Sequence, residues 1–227
     1  MKNKDDKLLL MKFTSRSRFN QLLDCVNRYV VNAKDKSKMI WLFTFDADDE
    51  TFDENSFQTF LNNLEVDYKY SVGNSLNKIH AINRDIDIIK EWDVLVNISD
   101  DQMPIISHYD YFIRNEMDEE NSLSLWFFDG HQNRVNTQEI VGYNYYKNLG
   151  YVYHPSYKSY FCDNEATEVG FALGKMKKIE QSIIRHYHPH WETNSFIKED
   201  DLYRKYQGYW KCDEENYNLR KSQNFPK

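Results

Sequence analysis

Short apolar runs alternate with amphipathic segments along the first hundred residues of the chain. The runs 8–13, 39–45, 66–72 and 94–98 are rich in aliphatic, aromatic and β-branched residues, which is typical of strands, and the most apolar ones are typical of buried strands. Between them, apolar residues recur at helical spacing, for example at Leu22, Val26 and Val30, which predicts helices. This order of elements predicts an α/β fold with a doubly wound, mostly parallel central sheet and helices on both faces.

The pattern changes after residue 101, where the regular alternation stops. Four Pro and seven Gly are too few for a flexible linker, so we expect one domain over residues 1–227. The predicted elements of this half are a helix over 109–117, a strand over 123–128, short strands and a functional loop over 139–161, a helix over 165–175, a strand over 179–184 and a polar tail.

Two of the predicted strands end in acidic residues. Asp46 and Asp48 follow the second strand, and Asp100 and Asp101 follow the fourth. The carboxyl ends of parallel strands meet at one edge of the sheet, where open α/β sheets bind ligands. Two adjacent carboxylates repel each other, so this edge favours a divalent cation. The alternative is structural, with Asp100 capping a turn and Asp101 exposed to solvent.

The loop after the first strand carries the hydroxyls of Thr14 and Ser15 together with Arg16 and Arg18. It leads into the N-terminus of a predicted helix, where unpaired backbone N–H groups favour an anion. The alternative is a capped helix with two surface arginines. Strand, loop and helix together favour an anion, and the sequence leaves both interpretations open.

The charge balance narrows the range of partners. The formal net charge is −7 and Lys and Arg form no dense block, which argues against binding driven by a nucleic acid backbone. The three cysteines are far apart and form no CxxC pair, which favours a reducing cytoplasm. The apolar run at 8–10 is too short for a membrane span, so we expect no integral membrane segment.

Five features, taken in order, resemble the GT-A fold glycosyltransferases, in particular the short members of family 2. The features are the first strand leading into Thr14-Ser15-Arg16, the acids at 46–49, the segment 73–84 with its Gly, Ala and Asn, the Ser99-Asp100-Asp101 strand end, and His154-Pro155 with Asp163-Asn164-Glu165 and the later His186. The resemblance divides the domain into a nucleotide-binding half (8–101) and an acceptor-side half with a C-terminal tail (102–227).

The resemblance implies a metal-dependent transfer of a sugar from a nucleotide-diphosphate sugar, with a UDP-sugar as the expected donor, to an acceptor hydroxyl. It implies Mn²⁺ or Mg²⁺ on Asp101, with Asp100 and His186 as further ligands. Asp163 is the first choice of catalytic base and Glu165 the second, which suggests inverting chemistry. The residues expected to contact the donor are Thr14, Ser15, Arg16, Asp46, Asp48, Lys78, Arg84, Ser99 and Asp100.

Two departures and several alternatives remain open. Ser99 stands where many members of the family have an acid, and Asp85 stands where the helix motif often has Gly. The spacing of His186, His188 and His190 also permits a zinc site or a surface cluster. A nucleotidyltransferase and a non-catalytic sugar- or nucleotide-binding module are the rival functions. The sequence does not distinguish among four classes of acceptor: a polysaccharide, a lipid-linked glycan, a protein and a hydroxymethylated base in phage DNA.

Overall fold

The computed structural model describes residues 4–188 and 199–226. Strands and helices alternate through the first half, as the hydrophobic pattern predicts. The strands are β1 (Leu9–Ser15), β2 (Met39–Asp46), β3 (Asp67–Gly73), β4 (Val94–Ile98), β5 (Gln102–Pro104), β6 (Ser124–Phe127), β7 (Ile140–Gly142), β8 (Met176–Ile179) and β9 (Ile184–His186). The helices are α1 (Phe19–Asn32), α2 (Glu54–Leu64), α3 (Lys78–Asn83), α4 (Tyr109–Glu116), α5 (Tyr143–Leu149), α6 (Cys162–Ala172), α7 (Asp201–Gln207) and α8 (Trp210–Ser222).

Seven strands form one sheet in the order β3-β2-β1-β4-β7-β6-β8. β1 pairs in parallel with both β2 and β4, and β7 runs antiparallel to β4 and β6. The chain moves outward from β1 to β3 and then returns to β4 on the other side of β1. The strand order therefore reverses between β1 and β4, which is where open sheets bind ligands. The predicted fold class, an α/β fold with a mostly parallel central sheet, is confirmed.

The alternation of side chains along β1 builds both faces of the core. Leu9 and Phe13 join a cluster with residues of α1, α2 and α4, whereas Leu10 faces a second cluster with residues of α3 and α5. Each large apolar side chain buried in this way contributes about 1.5–3 kcal/mol. Lys12 is a polar exception on this strand: it is fully buried and donates a hydrogen bond to the hydroxyl of Thr44. Burial lowers the pKa of Lys12 to about 7.

A second, two-stranded sheet joins distant parts of the chain. β5 pairs antiparallel with β9, so that Gln102 lies opposite His186. The amide of Tyr187 donates to the carbonyl of Asp101 at 2.8 Å. This pairing brings the late histidine against the acids at the end of β4.

The helix expected after β3 is shorter than its apolar spacing predicts. α3 ends at Asn83, and Ile86–Ile88 form a separate 3-10 turn. The break occurs because Arg84 is extended and Asp85 takes a left-handed conformation with φ of 72°. Asp85 thus occupies a position that favours Gly, and its carboxylate accepts a hydrogen bond from Thr44 at 3.0 Å.

Three predictions for the second half are wrong in detail. Residues 143–149 form α5 rather than a strand or loop, and Gly150, with φ of 84°, ends the helix. The predicted strand over 179–184 is instead mostly the connection between two strands in different sheets, because β8 ends at Ile179 and β9 begins at Ile184. The polar tail contains α7 and α8, and α8 is held through buried polar residues that apolar periodicity cannot reveal. The predicted helix over 165–175 is present with shifted ends, as α6.

No helix within the described residues combines the length and the apolar content needed to cross a bilayer.

Candidate active site

A cavity of about 520 Å³ opens at the carboxyl end of the sheet. This volume is within the range of small-molecule sites, about 300–1,000 Å³. Its walls come from the ends of β1, β2 and β4, the first turns of α3 and α6, and the C-terminal helices. The sequence-predicted residues that line it are Thr14, Ser15, Arg16, Asp46, Lys78, Ser99, Asp100, Asp101, Asp163 and His186, whereas Asp48, Arg84 and Glu165 lie outside its lining.

Buried oxygen atoms without partners mark the ends of β1 and β2. Thr14 Oγ1 and Asp46 Oδ1 have no hydrogen-bond partner within the described part of the chain. An unsatisfied buried polar group costs about 1–3 kcal/mol. The other oxygen of Asp46 accepts from Arg16 at 2.8 Å. This corner of the cavity therefore suits a ligand that donates hydrogen bonds, such as a nucleobase N–H or a ribose hydroxyl.

Two of the predicted donor-binding residues act behind the cavity wall. Asp48 accepts two hydrogen bonds from Arg16, at 2.6 and 2.7 Å, and so fixes the direction of that guanidinium. Arg84 donates to the carbonyls of Phe45 at 2.5 Å and Gly73 at 3.4 Å, which ties the ends of β2 and β3 together. A Cβ atom on Gly73 would lie only 2.5 Å from Arg84 Nη1, so a larger residue at this position would displace the guanidinium from its place beside the two strand ends.

Asp100 is buried and held by three side chains. One oxygen accepts from Arg18 at 3.2 Å and Gln21 at 3.1 Å, and the other accepts from Ser15 at 3.3 Å. Burial raises the pKa of Asp100 to about 6, although Arg18 opposes the shift. Arg18 also donates to Asp200 at 2.6 and 3.0 Å, so one guanidinium joins the end of β4 to the start of α7.

Asp101 is the more open acid of the pair. One of its oxygens lies 3.4 Å from His186 Nε2. The other oxygen, Oδ1, is buried and has no hydrogen-bond partner among the described residues. Burial alone would raise the pKa of Asp101, but the attraction and hydrogen bond of His186 outweigh it and lower the pKa. Asp101 is therefore a charged carboxylate with an oxygen available for a ligand.

The donor set fits a cation that shares its coordination with a ligand. Within 4–188 and 199–226, no group of three His, Cys, Asp or Glu side chains is arranged to hold a metal ion. Mg²⁺-type ions commonly take one or two carboxylates together with phosphate oxygens and water. Asp101, with its free oxygen, and the adjacent His186 fit that role.

A structural zinc site needs four protein ligands in a tetrahedral arrangement. His186 and His188 are near each other, with ring centroids 5.7 Å apart, but His188 Nε2 lies 3.2 Å from the hydroxyl of Tyr203. His190 lies outside the described residues, so the three-histidine site remains a sequence-based alternative.

Lys78 is the first residue of α3 and lines the cavity. It follows Asn77, whose side chain accepts from the amide of His80 at 2.9 Å and so caps α3. Burial raises the pKa of Asp100 and Asp163, whereas the net shift of Asp101 is downward, and the positive charge of Lys78 acts to lower the pKa of all three. Lys78 thus lies in a field of carboxylates, where it can contact a phosphate group.

Asp163 is the acid on the opposite side of the cavity. It lies in the first turn of α6 and accepts a hydrogen bond from the amide of Asn164 at 3.0 Å. Burial raises its pKa above the usual aspartate value, and the amides and Lys78 only partly oppose this. A higher pKa makes the carboxylate a stronger base, which is what removal of a hydroxyl proton requires.

Glu165 points away from Asp163 because residues two apart on a helix do not share a face. Its carboxylate is buried and accepts from Arg220 at 2.7 and 2.8 Å and from the hydroxyl of Tyr157 at 2.7 Å. These bonds join α6 to α8. The surroundings of Glu165 are those of a structural ion pair, so Asp163 is the acid whose position in the cavity suits a base.

Sequence reasoning missed the part of the wall that comes from the C-terminal helices. Tyr203, Tyr206 and Trp210 line the cavity together with Tyr160 and Phe161. Tyr203, Tyr206 and Trp210 are three and four residues apart in the sequence, a spacing that is typical of one face of a helix. Tyr203 and Tyr206 both belong to α7, so this helix forms part of the cavity wall.

Several solved structures share this fold. The mannosyltransferase PcManGT from Pyrobaculum calidifontis, solved with GDP-Man and Mn²⁺, superposes with a TM-score of 0.62 at 7% identity over 76% of this chain and 54% of that one. S. aureus TarS also gives 0.62, at 10% identity over 80% of this chain and 37% of that one. The glycosyltransferase GlyE of Streptococcus pneumoniae gives 0.56, at 8% identity over 96% and 64%.

These similarities show that the chain has the GT-A fold, as the sequence resemblance predicts. The chain spans about one third to two thirds of the length of these three structures. No protein-family model and no curated protein sequence matches the chain.

Proposed function

We propose that the chain is a metal-dependent glycosyltransferase that moves a sugar from a UDP-sugar to an acceptor hydroxyl. The observation that carries this proposal is the pairing of two different carboxylates in one cavity. Among residues 4–188 and 199–226, no side chain or amide bonds the buried Oδ1 of Asp101 beside the sheet edge, and burial raises the pKa of Asp163 at the start of α6. Sugar transfer needs these two functions: one stabilises the leaving diphosphate and the other removes a proton from the acceptor.

The donor would lie along the carboxyl edge of the sheet. Thr14 and Asp46 offer acceptor oxygens to the nucleoside, and Ser15 and Ser99 offer hydroxyls beside it. Arg16, held in place by Asp48, would contact the nucleotide from the side. PcManGT was crystallised with GDP-Man and Mn²⁺, and TarS with UDP and UDP-GlcNAc, which supports a nucleoside-diphosphate sugar as the donor class.

The leaving group would lie between Asp101 and Lys78. A divalent cation held by Asp101 and His186 would neutralise negative charge that develops on the departing diphosphate. Asp100 is engaged by Arg18 and Gln21, so we place it as a supporting residue that fixes the turn rather than as the main ligand. Lys78 would add a positive charge on the other side of the phosphates.

Asp163 would act as the catalytic base. Its carboxylate would accept the proton of the acceptor hydroxyl as the oxygen attacks the anomeric carbon of the donor. An attack from the face opposite to the leaving group inverts the configuration of that carbon. We therefore expect an inverting enzyme, and the anomeric configuration of the product, measured by NMR, tests this directly.

A donor panel tests the proposed function. The purified chain is incubated with UDP-, GDP- and TDP-sugars in Mn²⁺ or Mg²⁺, and released nucleoside diphosphate is measured with and without sugar acceptors. We expect metal-dependent release of UDP from at least one UDP-sugar. The same assay is repeated with Asp101→Asn and with Asp24→Asn, which changes an exposed acid paired with Arg28 on α1.

The rival functions are tested by adding two arms to this panel: a nucleoside triphosphate with a sugar phosphate, and UDP alone for binding. A nucleotidyltransferase would release pyrophosphate from a nucleoside triphosphate and a sugar phosphate. A binding module would bind UDP without turning over any donor. Either result would contradict the proposed function, as would equal turnover by Asp101→Asn and the wild type.

A further inference from the structure

An aromatic surface forms part of the cavity wall at the starts of α6 and α8, outside the strand ends that we propose bind the donor. Tyr160 and Phe161 precede α6, and Trp210 begins α8. The ring centroid of Trp210 lies 5.0 Å from that of Tyr160 and 4.9 Å from that of Phe161. We call these three residues the aromatic platform. All three line the cavity that also contains Asp163.

Trp210 is exposed to an extent that core packing does not require. Its side chain is 51% exposed, although it begins a strongly polar helix. Phe161 takes a left-handed conformation with φ of 60°, which is costly for a residue with a bulky side chain. The chain therefore keeps an apolar surface in the cavity and accepts backbone strain at one of its members.

Buried polar contacts hold the aromatic platform in place. Asp213 of α8 is buried and accepts from the amides of Lys158, Ser159 and Tyr160 at 3.0, 2.8 and 2.8 Å. The ring of Phe161 stacks on Tyr217 at 5.6 Å. The loop before α6 and the first turn of α8 are thus fixed to each other before any ligand binds, which reduces the ordering cost of binding.

From this arrangement, and resting on the proposed function, we infer that the aromatic platform is the acceptor subsite and that it takes a neutral saccharide. One face of a sugar ring presents C–H groups and is apolar, and it packs against an aromatic ring while its hydroxyls remain free for polar contacts. A ring stacked on Trp210 lies in the same cavity as Asp163, which would accept the proton of one of its hydroxyls.

The distribution of charge favours a neutral saccharide over duplex DNA. Within the described residues, the Lys and Arg side chains that line the cavity are Arg16, Arg18 and Lys78, which lie on the donor side. The helix that carries Trp210 has one exposed base, Lys211, and two exposed acids, Glu214 and Glu215, in its first two turns, while Asp213 is buried. A duplex would bring phosphates against this helix, and binding of phosphates requires a basic surface.

Ligand-observed NMR tests the subsite without depending on turnover. The probes are cellobiose, maltose, lactose and chitobiose, each with the UDP-loaded protein, and a hydroxymethylated DNA duplex at low salt. The variants are Trp210→Ala, Trp210→Phe and Tyr160→Leu. The control is Phe171→Ala, because Phe171 is 50% exposed on α6 and lies outside the cavity lining.

We expect at least one neutral saccharide to bind the wild type and Phe171→Ala equally. Loss of a stacking ring weakens binding by about 10-fold or more, so Trp210→Ala should lose most of the signal and Trp210→Phe should keep part of it. Tyr160→Leu provides the same test if Trp210→Ala does not fold. In transfer assays the loss should fall on the KM of the saccharide.

Three results would overturn the inference: no saccharide binds, Trp210→Ala binds as well as the wild type, or the duplex binds and the saccharides do not. None of these depends on release of UDP in the donor panel. A working donor site without saccharide binding would therefore contradict the subsite alone. Absence of donor turnover would contradict the proposed function instead.

Discussion

The proposed donor side and the proposed acceptor side of the cavity, called the donor side and the acceptor side below, are built in different ways. On the donor side, Thr14, Asp46 and Asp101 follow directly from β1, β2 and β4, and the parallel register of these strands sets their positions. On the acceptor side, Asp163 and the aromatic platform depend on contacts between α6 and α8, which are about fifty residues apart. The first side is fixed by backbone pairing, the second by a few buried polar side chains.

This difference teaches where the molecule can change. A substitution at a strand end alters one functional group and leaves the backbone pairing intact. A substitution at Glu165, Asp213 or Arg220 weakens the contacts that hold α6 and the loop before it to α8. The acceptor side can therefore be remodelled through its supporting contacts without disturbing the donor side.

The largest effect is expected at Asp101. Asp101→Asn removes the charge that faces the diphosphate while keeping the shape of the side chain, so turnover should fall by at least about 10³-fold. Metal-dependent binding of UDP, measured by calorimetry, should weaken with it. Asp24→Asn should match the wild type in both measurements. Full turnover by Asp101→Asn would contradict the proposal that Asp101 holds the metal ion at the diphosphate.

The next effect is expected at Asp163, on the other side of the comparison. Asp163→Asn should lower transfer by about 10²-fold or more, because the side chain can no longer accept a proton. Binding of UDP should be retained, since Asp163 lies away from the strand ends. A loss of UDP binding equal to that of Asp101→Asn would show that the two sides are not separable.

The pH profile sharpens the role of Asp163. Below its pKa the carboxyl is protonated and cannot act as a base, so kcat/KM should fall as the pH falls. Burial raises the pKa of Asp163, and the nearby Lys78 and His186 lower it, with burial the larger effect. The acidic limb should therefore lie at a pH above the ordinary aspartate pKa of about 3.9. Rate measurements across pH should show this limb in the wild type but not in Asp163→Asn.

Glu165 should affect stability rather than chemistry, although it is only two residues from Asp163. Glu165→Gln breaks the buried pair with Arg220, and removal of one partner of such a pair costs about 3–5 kcal/mol. Chemical denaturation measures this change. At a temperature where the variant is folded, its kcat should remain near that of the wild type. A stable Glu165→Gln that has lost turnover would reverse the roles of the two acids.

The smallest effect is expected where α7 meets the donor side. Asp200→Asn weakens the ion pair with Arg18 but keeps the hydrogen bond that caps α7, because Asn is also a good N-cap. A partly exposed pair contributes about 1 kcal/mol at most, so we expect a shift in Tm of a few degrees and a small rise in the KM of the donor. Asp201→Asn is the matched control, since Asp201 is 99% exposed.

The donor side was largely predictable from the sequence, because strand, loop and acid follow one another within a few residues. Asp46, Asp100 and Asp101 lie at strand ends, and the strands that carry them are apolar. The pairing of His186 with Asp101 depends on β5 and β9, which are far apart in the chain, and only the family resemblance indicated it.

The acceptor side was less predictable for a physical reason. α8 is held by Asp213 and Arg220, which are buried polar residues in a helix that reads as polar on all sides. Periodicity detects apolar faces and misses such contacts. Glu165 was a plausible base because its charge and position in the sequence resemble those of Asp163. Only the direction of its side chain, toward Arg220, separates the two.

The location of a manganese ion in crystals grown with UDP and Mn²⁺ tests directly whether Asp101 holds a metal ion against the diphosphate. Anomalous scattering identifies the ion independently of the protein model. We expect an ion bonded to a carboxylate oxygen of Asp101 and to the diphosphate, with the uridine at the ends of β1 and β2. An ion or a UDP molecule bound elsewhere, with Asp101 left uncoordinated, would contradict it.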